Sequence, residues 1–270
     1  MNRYSLISYI PFWWSAKTLY DIHSPTLYEF FKFTLDQKRL YYDFELLDRV
    51  RYQMKKNQQE VKVSTYGAGS KVFDVSASIH HLVNRTLSPK EVSRQLYRMN
   101  IFFQSEHCLE LGTCLGLNSM AMAQSCVGKL TTIEAHSDYY AFAKQLFETY
   151  GIENIDLHRA LFAEILPELP QEHYDLIFID GDHTYQSTLE LIDLCKPLLS
   201  SKGIIVLSDI HWSAGMYRAW KEILSDPDFS ISIDLFHAGI LWHKGWKIEK
   251  KHINFITEHW TKPWKYIHGI

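Results

Sequence analysis

From His107 to the neighbourhood of Leu224, short apolar runs alternate with amphipathic stretches in a fixed order. HCLELG is followed by a helical pattern to Cys126, KLTTIEA by one to Tyr150, NIDLHRA by a short one, YDLIFIDGD by one to Leu199, and GIIVLSD by one to Leu224. Apolar strands separated by helix-sized connections pair in parallel, because each crossover helix returns the chain to the same end of the sheet and covers a face of it. Two more strand patterns, FSISIDLF and AGILWH, come without a helix between them and should therefore run antiparallel to each other. The expected fold class is α/β: a Rossmann-like, mostly parallel seven-stranded sheet with helices on both faces and an antiparallel edge strand, spanning residues 88–270.

Residues 1–87 read as a separate helical cap segment. Apolar and aromatic residues recur at helical spacing from about Ala16 to Val50, and Ser24-Pro25 supplies a helix start. The polar stretch RYQMKKNQQEVK and the glycine-punctuated YGAGSK then mark a loop. A second Ser-Pro pair, Ser88-Pro89, opens a helix to Phe103 with Val92, Leu96 and Met99 on one face. Phe12, Trp13, Trp14, Tyr20, Tyr28, Phe30 and Phe31 pack these helices on the core or line a pocket, and packing is the ordinary reading of aromatics at this spacing.

Several function classes are disfavoured by bulk properties. A net charge of −3 gives no general attraction for phosphate backbones or anionic bilayers. Trp246, Trp260, Trp264 and Tyr266 interleave with lysines in the C-terminal tail, but a tail on a chain that is not globally basic reads as an amphipathic surface rather than a nucleic-acid site. No apolar run approaches the roughly 20 residues that span a bilayer. Pro11 and the Trp13-Trp14 pair spoil the start of the chain as an export signal. Cys108, Cys114, Cys126 and Cys195 have neither zinc spacing nor disulfide density, so buried thiols in a reducing cytoplasm are expected.

Ligands of open α/β sheets bind beyond the carboxyl ends of the strands, and those ends are unusually polar here. The first strand runs into LELGTCLGLNS, where Glu110, Gly112 and Thr113 make the turn and Gly116 opens the next helix. A dinucleotide fingerprint would need a glycine where Cys114 stands, and without it a pyrophosphate loses its closest backbone contact. The second strand nevertheless ends in Glu134, placed to receive ribose hydroxyls. Ribose without pyrophosphate points to a nucleoside-type cofactor.

With these motifs in order, residues 107–224 resemble a class I S-adenosylmethionine-dependent methyltransferase of the O-methyltransferase-like group: ELGTCLGLNS is similar to that group's first motif, IEA to its second and FIDGDHTY to its fourth. The resemblance implies S-adenosyl-L-methionine as cofactor, held by Glu110, Gly112, Thr113, Gly116 and Asn118, with Glu134 on the ribose, Leu161 and Phe162 beside the adenine, and Asp180 toward the methionine. It also implies methyl transfer to an oxygen, or less readily a nitrogen, of a small-molecule acceptor. Metal-dependent members carry an asparagine after the aspartate that ends the fifth strand; Ile210 follows Asp209 here, so no metal is expected. His183 is then the expected general base, with Asp180 and Asp209 positioning the reactants and His211 a further candidate. Asp182 reads equally as a cap for the helix starting near Thr184. A homodimer is admitted only because two-fold pairing is the commonest assembly. A cofactor-binding module without catalysis and a nucleotide-dependent oxidoreductase remain open.

Overall fold

A computed structural model describes residues 3–64, 74–85 and 87–257. In chain order its elements are α1 (Arg3–Ser15), α2 (Pro25–Thr34), α3 (Asp43–Met54), β1 (Glu60–Ser64), β2 (Asp74–Ser78), α4 (Ile79–Arg85), α5 (Lys90–Phe103), β3 (His107–Leu111), α6 (Leu117–Ser125), β4 (Lys129–Ile133), α7 (Ser137–Tyr150), β5 (Ile155–His158) and α8 (Phe162–Ile165). The remainder is β6 (Tyr174–Ile179), α9 (Tyr185–Cys195), β7 (Leu199–Ser208), α10 (Ala214–Ile223), β8 (Phe229–Asp234), β9 (Ala238–His243) and β10 (Lys251–Asn254). From β3 strands and helices thus alternate through β7, as the apolar pattern requires. By compactness the chain divides into Phe33–Ile165 and a unit made of Met1–Lys32 with Leu166–Ile270. The division into 1–87 and 88–270 follows motif order, a different criterion, and stays a proposal.

In the unit Phe33–Ile165, β3, β4 and β5 pair in parallel. α6 is buried along nearly its whole length, as a helix without charged residues should be. Phe44, Leu47 and Val50 of α3 join Met120 and Ala121 of α6 and Ala143 and Phe147 of α7 in one core. Arg98 of α5 is fully buried; its guanidinium donates to Glu91 at 2.6 Å and to the carbonyl of Arg39 at 3.1 Å, and lies 5.4 Å from the Phe44 ring centre. The N-terminal segment is not purely helical, because β1 and β2 form an antiparallel hairpin with Val61 paired to Ala77. The two-residue period of EVKVS is the signal for it. Asp138 at the start of α7 accepts a hydrogen bond from the backbone N–H of Lys62 at 2.8 Å. YGAGSK lies outside the described residues.

In the other unit the strand order is β10-β8-β9-β7-β6. β6 pairs with β7 in parallel, β9 runs antiparallel to both β7 and β8, and β10 is parallel to β8. Two details of the expected sheet are therefore corrected. The antiparallel strand β9 is interior, and β10 is an additional strand, which brings the α/β region to eight among the described residues. The closeness of FSISIDLF and AGILWH determines their mutual direction but says nothing about which neighbour closes the edge, a place taken by a segment that sequence reading leaves as tail. Gly239 of β9 lies under Trp220, where an added Cβ would come within 2.5 Å of the indole, so this close approach requires glycine.

The segment before Lys32 is built into this same unit. Tyr9, Phe12 and Ala16 cluster with Phe236 and Ile256. Phe30 meets Trp242 edge-on at 5.2 Å, and Phe31 stacks on Phe255 at 3.8 Å. Lys17 and Phe255 form a parallel bridge. Phe12, Phe30 and Phe31 thus pack a core, whereas Trp14 is 82% and Tyr20 96% exposed. Trp246 donates its indole N–H to the Lys202 carbonyl, and Trp260, Trp264 and Tyr266 lie outside the described residues. No helix among the described residues is long and apolar enough to cross a membrane.

Candidate functional site

The turn after β3 is built from unusual backbone. Gly112, Cys114 and Gly116 have φ of 103°, 49° and 81°, values that glycine adopts freely and a cysteine only at a cost of about 1–2 kcal/mol. The turn is held by the N–H groups of Gly112 and Thr113, which both donate to the Ile133 carbonyl. Gly116 precedes α6, and an added Cβ there would lie 2.9 Å from the Phe147 ring and 3.3 Å from Ala143. Tight packing against α7 is therefore one demand for glycine at this position.

Two carboxylates support the turn. Glu110 is fully buried and accepts from the Ser119 hydroxyl and, at 2.6 Å, from Thr132, whose hydroxyl also lies 2.6 Å from that of Thr113. Glu134, just past β4, accepts from the N–H of Cys114 with one oxygen and from that of His136 with the other, each at 2.8 Å. Burial raises the Glu134 pKa above the usual carboxylate range, while these backbone donors oppose the rise. Each carboxylate oxygen has a second lone pair, so both backbone bonds leave acceptor capacity for a diol. The Asn118 side chain accepts from Ser93 at 2.6 Å and reaches toward Ser88 at 3.4 Å. Leu161 is half exposed and Phe162 begins α8. Tyr139 is a residue the motifs do not flag. Its phenol pKa is raised chiefly by burial, with Cys114 and Glu134 adding to the rise.

In the other unit, Asp180 follows β6 and Asp209 follows β7. His183 stands near both carboxylates, with Nε2 3.7 Å from Asp180 and 3.9 Å from Asp209, too far for hydrogen bonds but close enough to pair with either once the imidazole is protonated. Thr184, not Asp182, caps α9, its hydroxyl accepting from the Ser187 N–H at 3.3 Å. Asp182 has φ of 45° and its carbonyl takes the Thr184 N–H, so the sharp turn into the helix displaces the capping role by two residues. Desolvation lifts the Asp209 pKa to about 6, with Asp180 adding to the rise and His183 opposing it. The sequence expectation of no metal rests on Ile210, which is fully buried. His183 nonetheless gives the two aspartates a third donor: one ligand atom from each residue lies within 4.8 Å of the others. Two carboxylates and one imidazole are a donor set suited to a first-row divalent ion. His211 is not grouped with them, since its ring is bonded to Asp234 at 2.9 Å and buried. Inspecting every polar strand end would have found Asp234, which closes β8.

A family model described as a methyltransferase domain matches residues 109–210, the stretch that carries both the Glu110–Glu134 turn and the Asp180–Asp209 cluster. Residues 109–210 are similar to a methyltransferase domain. A putative O-methyltransferase of Mycolicibacterium paratuberculosis is 35% identical to this chain over 125 residues, which cover 44% of this chain and 53% of the relative. The chain spans about half the length of the curated relatives it matches. Among solved structures, the O-methyltransferase of Bacillus cereus in complex with SAH is similar with a TM-score of 0.54 at 16% identity, over 78% of this chain and 94% of that one. TomG of Streptomyces achromogenes, in complex with SAM, gives 0.51 at 20% identity over 58% and 81%. At these identities the likeness is one of fold, a Rossmann-like α/β scaffold.

Proposed function

We propose that this protein is an S-adenosylmethionine-dependent methyltransferase that moves a methyl group to an oxygen, less readily a nitrogen, of a small-molecule acceptor in the cytoplasm. The observation that carries this reading is the nearly buried Glu134 carboxylate, held by the Cys114 and His136 N–H groups next to a glycine turn that carries Cys114 where a dinucleotide fingerprint has its middle glycine. Glu134 takes the ribose hydroxyls; the Gly112–Gly116 turn and Thr113 pass along the methionine portion; Leu161 and Phe162 flank the adenine.

The reaction is an in-line displacement. The acceptor oxygen forms a bond to the methyl carbon, the carbon–sulfur bond breaks, and the sulfonium becomes the neutral thioether of S-adenosylhomocysteine. The hydroxyl proton passes to His183 Nε2, and Asp180 and Asp209 stabilise the imidazolium that results. Because charge is dispersed rather than created, alignment of the reactants is the protein's main contribution.

The same three side chains favour a second reading of their role. Asp180, His183 and Asp209 could together hold a divalent cation, which would polarise the acceptor hydroxyl and leave His183 a ligand rather than a base. Calorimetric titration of metal-stripped protein with manganese separates the two, and His183→Ala abolishes binding only in the second.

The cofactor reading is tested by calorimetric titration with S-adenosylhomocysteine. Micromolar binding that weakens at least tenfold, about 1.4 kcal/mol, in Glu134→Ala supports it. No binding by folded protein sinks it.

A further inference from the structure

The chemistry proposed above leaves one buried histidine–carboxylate pair unused. His211 and Asp234 each keep only 3% of their side chain exposed, and His211 Nε2 lies 2.9 Å from an Asp234 oxygen. The other Asp234 oxygen accepts from the Phe236 N–H at 2.7 Å. The His211 ring is stacked on Phe236 at 4.4 Å, tilted against Tyr217 at 4.7 Å and met edge-on by Phe12 of α1 at 5.8 Å. Its backbone carbonyl accepts from the hydroxyl of Ser5, also in α1, at 3.0 Å.

A group so enclosed cannot reach an acceptor, so His211 is no general base. Nor is stability a sufficient reason for it, because buried ion pairs return little over well-packed apolar residues of similar volume. What the pair does fix is position. Asp209, two residues earlier, has φ of 55°, donates its N–H to the His237 carbonyl at 2.8 Å and accepts at its own carbonyl from Trp212 at 2.8 Å. The turn from Asp209 to Trp212 is thus gripped on either side of His211, at a residue whose backbone does not rest in this conformation unaided.

We propose that His211, oriented by Asp234, is a positioning residue that fixes the Asp209 carboxylate beside His183, with α1 closing the other side of the clamp through Ser5 and Phe12. This rests on the reading of Asp180, His183 and Asp209 as the reacting cluster. It would give the N-terminal helix a direct mechanical link to the chemistry.

The test reads His183 itself. Protein labelled with nitrogen-15 histidine is saturated with S-adenosylhomocysteine at constant pH, and the two ring-nitrogen resonances of His183 are recorded. His211→Gln keeps a donor for Asp234 and is expected to leave them at their wild-type positions. The double variant His211→Phe with Asp234→Asn keeps the packing, avoids an unpaired charge and removes the directed bond; both resonances should shift. Ser5→Ala, which removes only the bond to the His211 carbonyl, should shift them the same way by less, and it decides the question if the double variant does not fold. Unmoved resonances in a folded double variant, or a His211→Gln shift as large as the double variant's, overturn the positioning role alone. Failure of the wild type to bind S-adenosylhomocysteine instead removes the methyltransferase reading, and the inference with it.

Discussion

Replacing Gly116 with alanine tests whether the turn before α6 is shaped by packing as well as by any ligand. The new methyl group meets two separate costs. An L-residue at φ of 81° is strained by about 1–2 kcal/mol. Its Cβ would also stand 2.9 Å from the Phe147 ring and 3.3 Å from Ala143, and Phe147 is 5% exposed, so the ring has little room to withdraw. Overpacking of this kind costs about 1–3 kcal/mol. Together the change should destabilise the protein by roughly 3 kcal/mol, seen in urea as a lower midpoint at unchanged slope. Phe147→Leu removes the ring atoms that clash, so in that background Gly116→Ala should cost only about the backbone term, and the two changes should couple by more than 1 kcal/mol. A loss below about 1 kcal/mol in the wild-type background, or strict additivity with Phe147→Leu, would refute the packing argument.

Three further outcomes are expected. Arg98→Met breaks a buried pair with Glu91 and leaves the Arg39 carbonyl without its donor, which should cost about 3 kcal/mol in urea denaturation; a loss under 1 kcal/mol would mean the guanidinium is dispensable. Asp209 has a folded pKa of about 6, above its unfolded value near 3.8, so the stability it contributes is present below pH 3.8 and lost as pH rises through 6. Asp209→Asn should accordingly leave Tm unchanged near pH 3.5 and raise it above pH 6, and an equal change at both ends would contradict the assignment. Of the four cysteines only Cys114 is not buried, while burial pushes the Cys195 thiol up to about 12. A thiol reagent should modify Cys114 first, and S-adenosylhomocysteine should slow it; indifference to that ligand would separate Cys114 from the cofactor.

What the sequence made legible follows period and position. The strand-end acids Glu134, Asp180 and Asp209 could be found because apolar runs of five or six residues say where each strand stops, and the polar residue after it is then conspicuous. Asn118 and His211 could not be assigned this way. Their partners, Ser93 and Asp234, are 25 and 23 residues away in sequence, and nothing local distinguishes a bonded side chain from an available one. α1 escaped for a related reason. Its residues 4–15 carry no charge, so it has no amphipathic contrast to reveal a helix, and its face is defined by Phe236, Ile256 and His211, all far along the chain. The additional strand β10 likewise shows a single well-buried residue, Ile253, too little periodicity to announce a strand.

The bridge between Lys17 and Phe255 has a bearing on how the chain is made. The unit Phe33–Ile165 is continuous and can begin to fold as it leaves the ribosome, whereas Lys17 has no strand to join until more than two hundred further residues have been synthesised. For that interval α1, uncharged from Tyr4 to Ser15 and with Tyr9 and Phe12 still uncovered, is a sticky part of the nascent protein. Slow translation, or a shortage of the chaperones that shield such segments, should therefore lower the soluble yield more steeply than the protein's equilibrium stability would suggest.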